Sequence, residues 1–527
     1  MAALTDCTSY ADAQRLFSPA RLWELFDGNR DWLNIAHECV NRFAATDAGH
    51  VAIRIAHADG ADEAISFGTL SEASARFAHH LAACGIAPGE RVAIMLEPSL
   101  PFYAALFGAM ATGAVAVPLF TLFGPDGVRL RLEDCRPRLL LTTPEKMATV
   151  GSLGTPVLVP DATFMRSLLR YPVVYRPRTR ADNLALFQYT SGTTRELPAA
   201  IHHTHRAIVV VAVAALYGTG IRPGDRFFCP SSPAWGHGLW HGTLAPLALG
   251  VTTGTMSGQF EAERLLRALC EYGITNLSAA PTHYRMMRNS GAAGRYPVRL
   301  HKASFTGEPI DTETLRFAET TFGTTLCSMY GTTEVGVILA NYPGAKDFVV
   351  KPGALGKPVP GVRVAVQDAS GKPCAPGEIG EIKVWRHGSW FPTKDRGWVD
   401  AEGYFHHAGR ADDVIISAGW TIGAAEVEDV LLRHPAVREA AVIGAPDGLR
   451  GQVVKAFIVT DRPGTDGLVQ ELQDFVRARL SQHEYPRLVE FVAALPKTPA
   501  GKVNRKALRD REAGRRAPCP EGEPDER

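Results

Sequence analysis

The sequence predicts an α/β fold: a large N-terminal domain of several subdomains with parallel-rich sheets and a β-rich part, followed by a small α+β C-terminal domain. Three observations predict it. Strand-like and helix-like segments alternate over residues 64–120 and again over 270–330. After about residue 340 the pattern turns to Pro- and Gly-rich β segments. After Gly409 it restarts as a short α+β unit. Alternating strands and helices imply βαβ units and a largely parallel sheet.

Taken in order, the segment from Thr69 spaces its apolar residues as an amphipathic helix and closes at Gly85. Residues 91–97 read as a short buried strand, 101–113 as a helix and 114–119 as a strand. The second alternation runs from a helix at 265–273 through strands at 274–280 and 302–307, a helix at 312–323 and a strand at 324–331. Residues 362–368 and 377–385 read as antiparallel β. In the last unit, 413–419 is a strand and 424–434 a helix stopped by Pro435. Strands follow at 439–446 and 453–459, and then a helix with an apolar stripe at Leu468, Leu472, Phe475 and Leu480. A boundary near Gly409–Asp412 divides the chain into domains 1–409 and 410–511. The tail 512–527, nearly free of apolar residues, reads as disordered.

Composition narrows the function. The chain has 527 residues, 46% hydrophobic and 21% charged, with 56 Lys and Arg against 55 Asp and Glu. A net charge of +1 gives no bulk attraction to nucleic acid or anionic membrane. Nine cysteines lie singly with no CxxC spacing, against a disulfide framework or a structural zinc site. The N-terminus lacks the regions of a signal peptide, and the longest apolar run, Ala207 to Leu216, is half of a membrane span. A reducing, cytoplasmic location is the expectation.

A chemical signal stands at Tyr189-Thr190-Ser191-Gly192-Thr193-Thr194. A strand runs into it and a helix is expected from about Thr204. A loop this rich in hydroxyls and backbone N–H groups can wrap a polyphosphate, although no GxxxxGK[ST] is present and a plain Ser/Thr turn would read the same.

Further downstream come Ser304-Phe305-Thr306-Gly307-Glu308-Pro309, Tyr330-Gly331-Thr332-Thr333-Glu334, Thr393-Lys394-Asp395, Gly409-Arg410-Ala411-Asp412-Asp413 and Pro499-Ala500-Gly501-Lys502. With the hydroxyl-rich loop, this ordered series over residues 35–510 resembles the adenylate-forming acyl-CoA synthetase superfamily. That superfamily also includes carrier-protein adenylation domains and beetle luciferases. The resemblance implies an acid–thiol ligase using ATP, Mg²⁺ and CoA. A carboxylic acid is a poor electrophile, and an acyl-adenylate supplies the leaving group a thiol needs.

The resemblance also implies the roles. Thr190, Ser191, Gly192, Thr193, Thr194 and Arg195 would hold phosphates, Thr190 among the catalytic groups. Gly307, Glu308, Pro309, Tyr330, Gly331, Thr332 and Thr333 would line the adenine and phosphate site, with Tyr330 offering its flat face. Asp395 would accept from both ribose hydroxyls, and Arg410 would reach the ribose or phosphate. Glu334 would take part in catalysis by binding Mg²⁺. Lys502 would stabilise the adenylation transition state. Asp412 would be the hinge of a mobile C-terminal domain that brings Ser417, Ala418, Gly419 and Trp420 to a CoA tunnel. Trp235, His237, Gly238 and Trp240 would wall the acyl pocket, closest in feel to medium-chain, cyclic or aromatic acid ligases.

Two departures stand out. Where the family has Gly-x-Pro-Lys-Gly after the loop, this chain has Arg195-Glu196-Leu197-Pro198-Ala199-Ala200. Arg195 could replace the lost lysine charge at Ala199. Thr421 stands where many relatives carry Arg. The histidines at 202, 203, 205, 237 and 241 lack Cys or acidic companions and argue weakly for a metal. Loading of a carrier protein's thiol, and a degenerate nucleotide-binding protein, stay open as alternatives. So does a homodimer. The expected ligands are a small carboxylic acid, ATP and CoA, with no nucleic acid and no membrane span.

Overall fold

The computed structural model describes residues 3–150, 154–189, 200–307, 310, 312–332, 334–410, 414–496, 503 and 505–514. Thr190 to Arg195, Glu308, Pro309, Thr333, Asp412 and Lys502 lie outside them, and of Arg410 only the backbone is described.

Three sheets carry the fold. The first is a six-stranded sheet in the order Val157–Leu158, Leu139–Leu141, Arg91–Ile94, Val115–Pro118, Leu184–Tyr189, Ala200–Thr204. All its pairs are parallel except the last. Val115–Pro118 and Leu139–Leu141 are buried throughout, as strands covered on both faces must be. The helices Phe67–Ala83 and Leu100–Thr112 cover this region. Ser66 and Ser99 cap them by accepting from Thr69 N and Phe102 N. They cross closely at Gly108, where a Cβ would stand 2.9 Å from Ser74 O.

A longer sheet begins with Asp62–Ser66 and Val51–Ala56. It continues through five strands, Thr252–Met256, Arg226–Phe228, Asn276–Ala279, Lys302–Phe305 and Leu326–Thr332, each parallel to its neighbour. From Gly336–Ala340 onward it is antiparallel. It passes through Ala354–Pro358, Phe405–Arg410, Ser389–Val399 and Gly380–Arg386 to Val364–Gln367. The change of pattern near residue 340 is therefore a change of pairing within one sheet. The smaller C-terminal domain has its own sheet, built from Trp420–Gly423, Val414–Ser417, Gly451–Thr460, Val437–Asp447 and Leu488–Phe491. Its helix Asp466–Arg477 buries Leu468, Leu472 and Val476, with Phe475 partly buried against the same core, so Val476 joins the expected stripe. Among the described residues no helix is long and apolar enough to cross a membrane.

Two expectations change, and one element is new. The hydroxyl-rich loop is followed by a strand, Ala200–Thr204, antiparallel to Leu184–Tyr189, and the helix begins only at Ala207. The strands on either side of the loop therefore pair with each other. Near the C-terminus a helix spans Arg505–Gly514, and Glu512 is buried against Lys455 at 2.5 Å, so the tail expected from residue 512 starts too early. The segment His237–Leu244, to which the sequence assigned no element, is a π-helix.

Candidate active site

A cavity of about 910 Å³ opens where the parallel strands of both large sheets end at their carboxyl termini. Ligands in open α/β sheets bind outside these ends. Gln188 and Tyr189 close the strand Leu184–Tyr189 here, Phe305 and Gly307 follow Lys302–Phe305, and Tyr330 to Thr332 close Leu326–Thr332. Of the residues the sequence singled out, Gly307, Tyr330, Gly331, Thr332, Glu334, Asp395, Trp235, His237, Trp240 and Trp420 all line this cavity.

On one side the geometry is set by hydrogen bonds. Asp395 is 3% exposed, and Tyr330 Oη donates to its Oδ2 at 2.7 Å. Its backbone N–H donates to Thr393 Oγ1 at 3.2 Å, which in turn donates to Ile382 O at 2.7 Å. His407 Nε2 lies 3.5 Å from Asp395 Oδ1. The Tyr330 ring is thus held by its hydroxyl, a tie the sequence reading missed. In the antiparallel register Asp395 faces the backbone of Arg410. Gly331 sits in a bend against Gly336, where a Cβ would stand 1.9 Å from Gly336 O, so only glycine fits. Glu334 is exposed, and its carbonyl accepts from Arg386 Nη1.

The opposite wall comes from the π-helical turn. Gly238 packs under the carbonyls of Ser231 and Ser232, 2.3 and 2.2 Å from a notional Cβ, which leaves no room for a side chain. This contact brings His237 inward. Its Nδ1 lies 3.0 Å from Ser231 Oγ and its Nε2 2.8 Å from Ser278 Oγ, and Ser304 Oγ donates to Ser278 Oγ at 2.9 Å. Burial holds the His237 imidazole well below its ordinary pKa, helped by His241 and His283. Trp240 Nε1 donates to Gln188 Oε1 at 2.7 Å, and the His203 ring stands edge-on to the indole at 4.8 Å. His205 is turned away: it is fully buried, and its Nδ1 accepts from Ile35 N at 3.1 Å. Ser231, Ser278 and Gln188 had no motif to announce them. Only their positions at the ends of buried strands or just beyond them could have done so.

The third wall belongs to the C-terminal domain. The strands Val414–Ser417 and Trp420–Gly423 are joined by Ala418 and Gly419, both at positive φ (53° and 77°), a two-residue turn suited to strand twist. Gly419 approaches Ala280 and the outer edge of Trp235, and a Cβ at Gly307 would meet the same edge at 3.4 Å. Trp420 stacks on His483 with centroids 3.6 Å apart, leans on Phe120 at 4.5 Å and faces Trp235 at 6.1 Å. Burial pushes the His483 pKa down to about 3, with Arg450 and Arg131 adding to it. The domain is seated on the helix Pro125–Cys135 by Gly127 N donating to Arg479 O at 2.8 Å and by Arg433 to Asp126 at 3.3 Å.

The sequence matches the family model described as AMP-binding enzyme over residues 40–389, and that of the AMP-binding enzyme C-terminal domain over 426–502. The acetyl-coenzyme A synthetase of Bacillus subtilis is 32% identical over 521 residues, covering 90% of each chain. The human mitochondrial acyl-coenzyme A synthetase ACSM3 is 30% identical over 492 residues, 85% of this chain and 83% of that one. The crystal structure of a Brucella canis acyl-CoA synthetase superposes with a TM-score of 0.72 at 32% identity, over 97% of this chain and 100% of that one. The chain therefore belongs to the AMP-binding enzyme family, the family of acyl-CoA synthetases and related acid–thiol ligases.

Proposed function

We propose that this protein is an AMP-forming acyl-CoA synthetase. A carboxylate oxygen attacks the α-phosphorus of ATP and pyrophosphate leaves. The thiol sulfur of CoA then attacks the acyl carbon of the adenylate and AMP leaves. The observation that carries the reading is one cavity walled on one side by the Tyr330–Asp395 pair and on another by the hairpin bearing Gly419 and Trp420. Asp395, its Oδ2 already accepting from Tyr330, is an acceptor for ribose hydroxyls. Gly307 and Tyr330 flank the base. Trp235, His237 and Trp240 wall the acyl group, with Gly238 as the turn that seats them.

Glu334 exposes a single carboxylate to the cavity, which fits a Mg²⁺ whose remaining ligands are phosphate oxygens and water. Bound there, the ion would neutralise charge on the phosphates. The loop Thr190–Arg195 with Glu308, Pro309, Thr333 and Arg410 completes the nucleotide site in this reading. Asp412 is the hinge between domains 1–409 and 410–511, and Lys502 acts in adenylation. The hairpin seated over the cavity suits the second half-reaction, in which Ser417, Ala418, Gly419 and Trp420 shape the thiol's path. A cytoplasmic location belongs to the same proposal. Pyrophosphate release from ATP is measured against a panel of acids, followed by acyl-CoA formation with CoA and acyl transfer to a carrier protein. Pyrophosphate without acyl-CoA, together with a loaded carrier, would overturn the CoA assignment.

A further inference from the structure

Two imidazoles on the acyl side of the cavity have no task in the reading above. His203, on the strand Ala200–Thr204, and His241, on the π-helical turn, line the cavity next to Trp240. Among the described residues neither ring has a hydrogen-bond partner. His203 Nε2 and His241 Nδ1 are each shut from solvent without one. Their neighbours differ. Both nitrogens of His237 are engaged by serines, His205 accepts from Ile35, and the Trp240 N–H is taken by Gln188. Ala207, Val211, Ala214 and Val337 line the same cavity and offer no polar side chain. Polar groups in protein interiors are nearly always paired, so two idle rings on a cavity wall mark a place for a hydrogen-bonding ligand.

We propose that His203 and His241 read a neutral hydroxyl on the acyl part of the substrate, so that the preferred acid is a compact hydroxy acid rather than a plain alkyl acid. The inference rests on the acyl-CoA synthetase reading of this cavity. Burial pushes both imidazoles down to about 4, so each is neutral at pH 7 and offers one N–H donor and one bare nitrogen. A hydroxyl can satisfy either. A second carboxylate would need a cation opposite it, which a neutral imidazole is not. An alkyl chain would leave both rings idle.

The test is kcat/KM for matched pairs of acids with the full-length enzyme: butyrate with 4-hydroxybutyrate, hexanoate with 6-hydroxyhexanoate, and benzoate with 4-hydroxybenzoate. At least one hydroxylated member should be favoured about tenfold or more. His203→Leu and His241→Leu should each lower that ratio toward one. His241→Gln, which keeps a donor and an acceptor, should hold most of it. Each ratio is taken within one preparation, so loss of folded protein cancels. Wild-type ratios of one or below in every pair, with plain acids turned over, would overturn the proposal and leave the synthetase reading standing. A ratio unchanged in both Leu variants would also overturn it. No pyrophosphate with any acid would instead sink the synthetase reading itself, and this proposal with it.

Discussion

The nucleotide side and the acyl side of the cavity are built differently. The nucleotide side is held by a chain of hydrogen bonds within one sheet: Tyr330 to Asp395, Asp395 to Thr393, Thr393 to Ile382. The acyl side is held by contacts between elements far apart in the chain, with Gly238 under Ser231 and Ser232, His237 between Ser231 and Ser278, and Trp240 between Gln188 and His203. In the proposed function the first arrangement serves the nucleotide, a ligand that never changes. The second can be repacked without touching the first, which is how one scaffold serves many acids.

Substitutions can break this contrast. The largest effect is expected for Lys502→Ala, which should slow adenylation by on the order of 10²–10³, by analogy with loss of an oxyanion donor. Thioester formation from supplied acyl-adenylate should be nearly unaffected. Equal losses in both half-reactions, measured separately, would make Lys502 structural.

Acid should attack the acyl side first. His203, His241 and His483 accept a proton near pH 6.5 in the unfolded chain but only near 4, 4 and 3 in the folded protein. Stability is therefore full above about pH 6.5. It falls as the pH drops, by about 1.4 kcal/mol per pH unit for each ring, until the folded pKa is reached. Urea unfolding at pH 7 and pH 5 measures this, and a variant with all three rings replaced by Leu should lose less on acidification than wild type. An equal acid loss in that variant would place the sensitivity elsewhere.

Trp420→Ala removes the stacks on His483 and Phe120, each worth about 1 kcal/mol. It should slow thioester formation roughly tenfold while adenylation changes little, read from the two half-reactions. A larger loss in adenylation than in thioester formation would take the hairpin away from the second step. The smallest effect is expected for Arg195→Ala: a KM for MgATP raised a few-fold, about 1 kcal/mol of lost binding, with the KM for the acid unchanged. Unchanged ATP kinetics would leave the loop's lost lysine without a replacement.

The same contrast explains what was legible in the sequence. The helices Phe67–Ala83 and Leu100–Thr112 announce themselves by apolar spacing, serine caps and closing glycines. Residues such as Tyr330 and Asp395 sit in short local motifs, so the cavity's nucleotide side could be listed in advance. The strand Ala200–Thr204 could not. It lies at the edge of its sheet with two histidines mid-strand and no fully buried residue, so it shows no clear apolar alternation. In the turn Trp235–Trp240 only Leu239 is a good helix former, against two tryptophans and two glycines. It becomes helical because Gly238 fits beneath two carbonyls, a fact of tertiary packing. The partners of His237, Ser231 and Ser278, come from two separate segments, which no spacing rule can gather.

One indole is shared between two machines. The outer edge of Trp235 rests against Gly307, where the nucleotide strand ends, and against Gly419, at the tip of the C-terminal hairpin. If the small domain moves as proposed, that edge is a stop against which it comes to rest as well as a wall of the proposed acyl slot. An engineer who enlarges the slot by trimming Trp235 also removes the stop. Such a variant should gain bulky substrates and lose timing between its two steps, and restoring both would require a compensating change at the hairpin tip. On the proposed function, substrate range and domain timing are therefore tied together at this position.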